Sequence, residues 1–268
     1  MPEISPQAIV ANPAGLADDV QVGPFAVLGP DVTVGAGTII SAGATLVGRT
    51  RVGRNCRLLP GCIVGCEPTP GDGAPRGGGT CTIGDNNTVR EHVTVEAGLA
   101  AGQSGTMLGP NNLLMVGCHV GHNAVLEGDG IFANFTRIGH DARIERFVRT
   151  SGLTNISPGA TVGAYTFTTG YAGVSGDAPP FAIVQGLPCR VRCVNTENLR
   201  RCGFDARAIA TLKDAFRLLF DEDSAPPGES RLAQVERQFA HDEHVRALVA
   251  SLRRSAARPQ ADETQEEA

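Results

Sequence analysis

From Val10 onward the chain places an aliphatic residue at every sixth position: Val10, Leu16, Val22, Leu28, Val34, Ile40, Leu46, Val52, Leu58 and Val64. An amphipathic helix repeats near 3.6 residues and a half-buried strand near two, so a strict count of six demands very short strands joined by regular corners. Three such strands close a triangular coil of about 18 residues. Coils stacked at about 4.8 Å then make three parallel sheets with their aliphatics inside. The pattern predicts a parallel β-helix. Glycine directly follows the aliphatic at positions 23, 29, 35, 53 and 65, where the corner needs either a small residue or an unusual backbone angle.

The count breaks between Cys66 and Cys81, in a segment rich in Gly and Pro that contains Asp72 and Arg76, and again over Ala97 to Met107. Both are expected to leave the coil as loops. Between and after them the rhythm returns through Ile83, Val89, Val95, Leu108, Leu114, Val120, Leu126, Phe132, Ile138, Ile144, Thr150, Ile156, Val162, Thr168 and Val174. Beyond Ser-Gly-Asp-Ala-Pro-Pro the period changes. Ile209, Leu212, Phe216 and Leu219 recur at helical spacing behind Asp205, a residue suited to cap a helix reaching about Phe220. Two further helices are expected over 230–240 and 242–257. The resulting division is a β-helix over 1–190, a helical domain over 191–257 and a polar, disordered tail over 258–268.

Composition narrows the function. The chain has 268 residues, 41% hydrophobic and 4% aromatic, with 34 glycines and no tryptophan, which suits a core of small and branched aliphatics around tight corners. A net charge of -5 with no Lys/Arg stripe argues against nucleic acid as the main partner. The opening Met-Pro-Glu-Ile-Ser-Pro lacks the pattern of a secretory signal, and no run of about 18 apolar residues is present, so no integral membrane segment and a cytoplasmic location are expected. The eight cysteines form no Cys-x-x-Cys pair, which fits packed, reduced thiols rather than a disulfide frame or a zinc site.

The candidate chemistry lies in Asn111 to Asn123, which reads Asn-Asn-Leu-Leu-Met-Val-Gly-Cys-His-Val-Gly-His-Asn. A single histidine is usually just solvated, but His119 and His122 ride together on the regular scaffold. His140 stands one coil after His122, and each lies two places after an inward aliphatic. Their rings are therefore expected to stack at about the strand spacing, an arrangement that disfavours double protonation and keeps His122 basic.

Gly109-Pro-Asn-Asn-Leu-Leu-Met with His119-Val-Gly-His122 resembles the central motif of the acyl-carrier-protein:UDP-N-acetylglucosamine O-acyltransferases of lipid A synthesis. The stretch Asn195-Thr-Glu197-Asn-Leu-Arg-Arg201-Cys-Gly203-Phe204 strengthens the resemblance, which extends to about Arg254. It implies a left-handed β-helix and a homotrimer with active sites between subunits. It also implies that His122 is the general base taking the proton from the sugar 3-hydroxyl as that oxygen attacks the acyl thioester, a role for which a His titrating near neutrality is suited. By the same resemblance His119 lies near the substrate, Asn195 and Glu197 hold the nucleotide, Arg201 sits near the carrier protein, and Gly170 with Phe167 measures the acyl chain. No cofactor or metal is implied. Read from the residues alone, Asn195 and Glu197 suit a helix cap equally well.

This chain departs from the family pattern at several points. Asn123 stands where the family has an Asp after the catalytic His, so a weaker base is expected. The sugar-gripping Gln-Asp-Leu-Lys-Tyr loop is absent, leaving Asp72 and Arg76 as substitutes, and the family's His-Arg-Gly-Thr becomes Glu96-Ala-Gly-Leu. Two other readings compete with acyl transfer. One is a trimeric scaffold that binds a UDP-sugar without turnover. The other is a β-helical carbonic anhydrase-like protein with zinc on His119, His122 and His140.

Overall fold

The computed structural model describes residues 1–68, 78–99, 105–220 and 227–258. Asp72 and Arg76 lie outside them, as does the tail from 259. The chain winds as a left-handed parallel β-helix whose three faces are, among the described residues, sheets of eleven, nine and seven strands, here called the first, second and third faces. Most strands are two residues long, and each pairs in register with the strand one coil away, as His119–Val120 does with Arg137–Ile138. The sixfold aliphatics point inward and are buried, from Val22 to Val174. At about 1.5 to 3 kcal/mol for each such side chain, they offset the ordering of many tight corners.

A second inward set escaped the sixfold count. The residue two places before the sixfold position also faces the interior and is often small: Ala26, Ala44, Cys56, Cys62, Cys118, Ala124, Thr136 and Ala142 are buried there. Alternating large and small residues fill the narrow prism. Cys56, Cys62, Cys81 and Cys118 are thus core residues, and all eight cysteines are free thiols. Burial pushes the Cys62 and Cys81 thiols up to about 12. The inward threonines satisfy their hydroxyls in pairs, Thr136 with Thr150 at 2.7 Å and Thr154 with Thr168 at 2.9 Å.

The corner glycines serve the expected purpose by the first of the two routes. Of the five named above, Gly65 alone has a left-handed backbone, at φ +80°. Elsewhere the requirement is space, since a Cβ on Gly53 would meet the Gly84 carbonyl carbon at 2.7 Å. The left-handed residue of each corner comes two places later and is often Asn, Asp or an aromatic, as at Asn123, Asp141, Phe147 and Tyr165. Such a backbone costs a non-glycine residue about 1 to 2 kcal/mol, which the coil-to-coil hydrogen bonds of the corner oppose.

The strands at the first break are longer than expected. Thr80–Ile83 pairs with Arg49–Val52, so the coil resumes before Cys81. After Val174 a hairpin of Ala182–Gln185 and Arg190–Val194 closes the end of the first face with its antiparallel pairing. The sixfold count had no means of showing it. Among the described residues four helices follow: α1 (Thr196–Arg201), α2 (Ala206–Leu219), α3 (Glu229–Gln238) and α4 (Glu243–Ala256). Asp205 and Asp242 cap α2 and α4 through their carboxylates. Leu212, Leu219, Val235, Val245 and Leu248 are buried where these helices meet. Phe204 and His244 pack against Tyr165 and Phe181 at the end of the corner ladder, joining the helices to the prism.

Candidate active site

His122 occupies the corner between the second and third faces. The strand before it, His119–Val120, lies in register between Thr94–Val95 and Arg137–Ile138. Gly121 lets this corner sit close on the next, because a Cβ there would lie 2.7 Å from the His140 backbone nitrogen. With the corners so near, the imidazoles of His122 and His140 stack with centroids 4.7 Å apart and planes 6° apart. That is the spacing the register predicts.

The two rings have similar partners. His140 Nδ1 lies 2.8 Å from Asp141 Oδ2, and His122 Nδ1 lies 3.3 Å from Glu96 Oε2. The same Glu96 oxygen accepts the His122 backbone N–H at 2.9 Å. Glu96 ends the strand Thr94–Glu96, opposite an irregularity between Val64 and Cys66 where the pairing shifts from Val95 to Glu96. Such bulges re-aim the residue they face. Sequence reading noted Glu96 only as a departure from the motif. The signal that could have found it is the register: Val95 and Val120 are partners in successive coils, which puts Glu96 directly beneath the His122 corner.

Asn123 has no contact with the His122 ring among its hydrogen bonds. It takes the left-handed corner position at φ +56°, accepts the Leu99 N–H at 3.2 Å and donates to Asp141 Oδ1 at 3.1 Å. His119 is half-buried, with Nδ1 2.8 Å from Thr94 Oγ1. Burial lowers its pKa most, the Glu96 carboxylate pulls the other way, and Arg137 lowers it further.

The remaining expected residues lie on other edges of the same chain. Asn195 and Glu197 sit at the start of α1, beside the third-to-first edge. The Asn195 side chain is buried, accepts the Asn198 N–H and donates to the Tyr165 carbonyl at 2.7 Å, so it caps the helix as the residue pattern allowed. Glu197 is exposed and paired with Arg201 at 3.0 Å. Phe167 and Gly170 belong to the first face and its edge with the second. One chain therefore does not bring these groups to His122. The metal-capable atoms that do gather are those of His122, His140 and Asp141, all within 4.8 Å of one another. That is a different set from the His119, His122 and His140 of the competing zinc reading.

The chain is thus a hexapeptide-repeat coil ending in a helical domain, with a largely buried imidazole held to a carboxylate at its edge. The profile described as bacterial transferase hexapeptide (six repeats) matches residues 13–48, and the one described as UDP N-acetylglucosamine O-acyltransferase, domain 2, matches residues 177–259. The chain is 44% identical over 218 residues to a relative from Saccharophagus degradans, covering 81% of this chain and 84% of that one. A Thermodesulfovibrio yellowstonii relative is 38% identical over 222 residues, covering 82% and 85%. Both are named acyl-(acyl-carrier-protein)--UDP-N-acetylglucosamine O-acyltransferase. Among solved structures, the UDP-N-acetylglucosamine acyltransferase LpxA of Bacteroides fragilis superposes with a TM-score of 0.85 at 29% identity, covering 94% of this chain and 97% of that one. LpxA of Acinetobacter baumannii gives 0.83 at 28%, covering 95% of each. This chain belongs to the acyl-carrier-protein-dependent UDP-N-acetylglucosamine O-acyltransferase family.

Proposed function

We propose that this protein moves a 3-hydroxyacyl chain from acyl carrier protein to the 3-hydroxyl of UDP-N-acetylglucosamine, the first step of lipid A synthesis, with His122 as general base. The observation that carries the residue assignment is the largely buried His122 imidazole with its Nδ1 on a carboxylate. An ionised carboxylate is an acceptor only, so Nδ1 carries the hydrogen and Nε2 keeps the lone pair a base needs. His119 and the stacked His140 flank the substrate position. The exposed Glu197 and Arg201 contribute to nucleotide and carrier binding, Asn195 fixes the turn that presents them, and Gly170 with Phe167 limits the acyl chain.

A homotrimer is part of this reading. His122, the α1 junction and Gly170 lie on three different edges of one prism, and three-fold association is the simplest way for those edges to meet. Among the described residues no helix is long and apolar enough to cross a membrane.

Purified protein is assayed with acyl carrier proteins of several chain lengths and UDP-N-acetylglucosamine, beside His122→Ala, and its mass is read by sedimentation. Transfer by the wild type, its loss in His122→Ala and a trimer at micromolar concentration are the expected results. Equal inertness of both proteins while UDP-sugar still binds selects the non-catalytic scaffold, and a monomer overturns the shared site.

A further inference from the structure

We infer that Glu96 is the positioning carboxylate of this enzyme, fixing the tautomer of His122 and balancing the charge it gains, in place of the residue that follows the histidine. The inference rests on the reading of His122 as base. Three observations carry it. First, one oxygen of Glu96 holds both the His122 backbone N–H at 2.9 Å and the ring Nδ1 at 3.3 Å, so the ring is tied to the coil beneath it at two points. Second, the pair is largely shielded, with side-chain exposures of 12% for His122 and 20% for Glu96, so water screens the interaction little. Third, the neighbouring Asn123 carries no charge, and its amide bonds to Leu99 and Asp141.

The charged and titratable groups facing the His122 ring are Glu96 on one side and, on the other, His140 stacked upon it with Asp141 behind. During transfer the sugar hydroxyl proton passes to His122 Nε2 as its oxygen bonds to the thioester carbonyl carbon. When the tetrahedral intermediate collapses, the carbon–sulfur bond breaks and the proton leaves Nε2 for the departing thiolate. Glu96 keeps its charge throughout. Its work is to hold Nδ1–H and to lower the energy of the imidazolium that exists between those two transfers, as the buried carboxylate of a Ser-His-Asp triad does.

The test uses the full chain with Glu96→Gln. The glutamine carbonyl can still accept the His122 N–H, so the corner is kept while the charge is lost. Two quantities are read: kcat and KM for UDP-N-acetylglucosamine, and the His122 ring tautomer from its nitrogen resonances at neutral pH. The expected result is a fall in kcat of at least about tenfold with KM within about twofold, together with a shift of His122 away from the Nδ1–H form. A kcat within twofold of wild type with the ring still Nδ1–H overturns the inference. Wild-type protein alone gives a second, independent check: a predominantly Nε2–H His122 overturns it even when Glu96→Gln does not fold. Absence of transfer by the wild type counts against the function proposed above, whereas the tautomer of its His122 still decides the role of Glu96.

Discussion

His122 and His140 occupy the same place in successive coils, and each has its Nδ1 on a carboxylate, yet the two pairs are physically different. The His140–Asp141 pair is about half exposed on both sides, at 47% and 52%, against 12% and 20% for His122 and Glu96. An exposed ion pair is worth about 0 to 1 kcal/mol because water screens it and both side chains must be ordered. The shielded pair feels a lower dielectric, so its carboxylate has more leverage on the ring. The source of the carboxylate differs too. Asp141 is the next residue along the chain and is half exposed, its other oxygen taking the Asn123 amide, whereas Glu96 comes from the coil beneath and is fixed by its grip on a backbone N–H. Repetition supplied the two rings, and burial sets them apart.

Replacing each histidine by alanine separates the pair most strongly. His122→Ala is expected to lower kcat by about 10² to 10⁴-fold, the usual contribution of a general base, while His140→Ala lowers it by about tenfold or less. Equal losses in the two variants would erase the distinction drawn from burial. The next effect is smaller. Asn123→Asp removes the amide that donates to Asp141 and sets two carboxylates together, so it is expected to cost about 1 kcal/mol of stability with no gain in kcat. A tenfold increase in turnover, equivalent to about 1.4 kcal/mol of barrier, would show instead that the carboxylate belongs at position 123.

The smallest effect concerns His119, which shares the Glu96 environment without contacting its carboxylate among its hydrogen bonds. Its folded pKa lies below the ordinary 6.5, chiefly through burial. The unfolded chain therefore takes up the proton first as pH falls, and the stability that neutral His119 contributes is lost as the pH drops below about 6.5. Urea midpoints at pH 7.5 and 5.5 are expected to fall more in wild type than in His119→Gln.

What could be read in advance follows the rule of register. The coil, the inward aliphatics and the stacking of His122 on His140 all come from adding equal steps, and equal steps survive translation into space because every strand pairs with the one a coil away. Asp205 and the helical spacing behind it were legible for the same local reason. Three features were not. The small inward residues such as Ala124 and Cys118 hide because alanine, cysteine and threonine are unremarkable in a surface strand as well. The Ala182–Gln185 hairpin obeys a two-residue period in a stretch too short to reveal it. Glu96 is separated from His122 by a break in the count, so its contact exists only once the pairing of Val95 with Val120 is known.

Both departures from the count fall between a second-face strand and a third-face strand, first after Ile63–Cys66 and then after Thr94–Glu96. They share the edge that carries His122. Each time the ladder resumes in register, Thr80–Ile83 on Arg49–Val52 and Thr106–Leu108 on Cys81–Ile83. Doubling a loop's length costs only about 0.6 kcal/mol in closure entropy. Chain length on this edge can therefore drift over generations without disturbing a single rung of the scaffold, while His122 and its stacked neighbour stay in place.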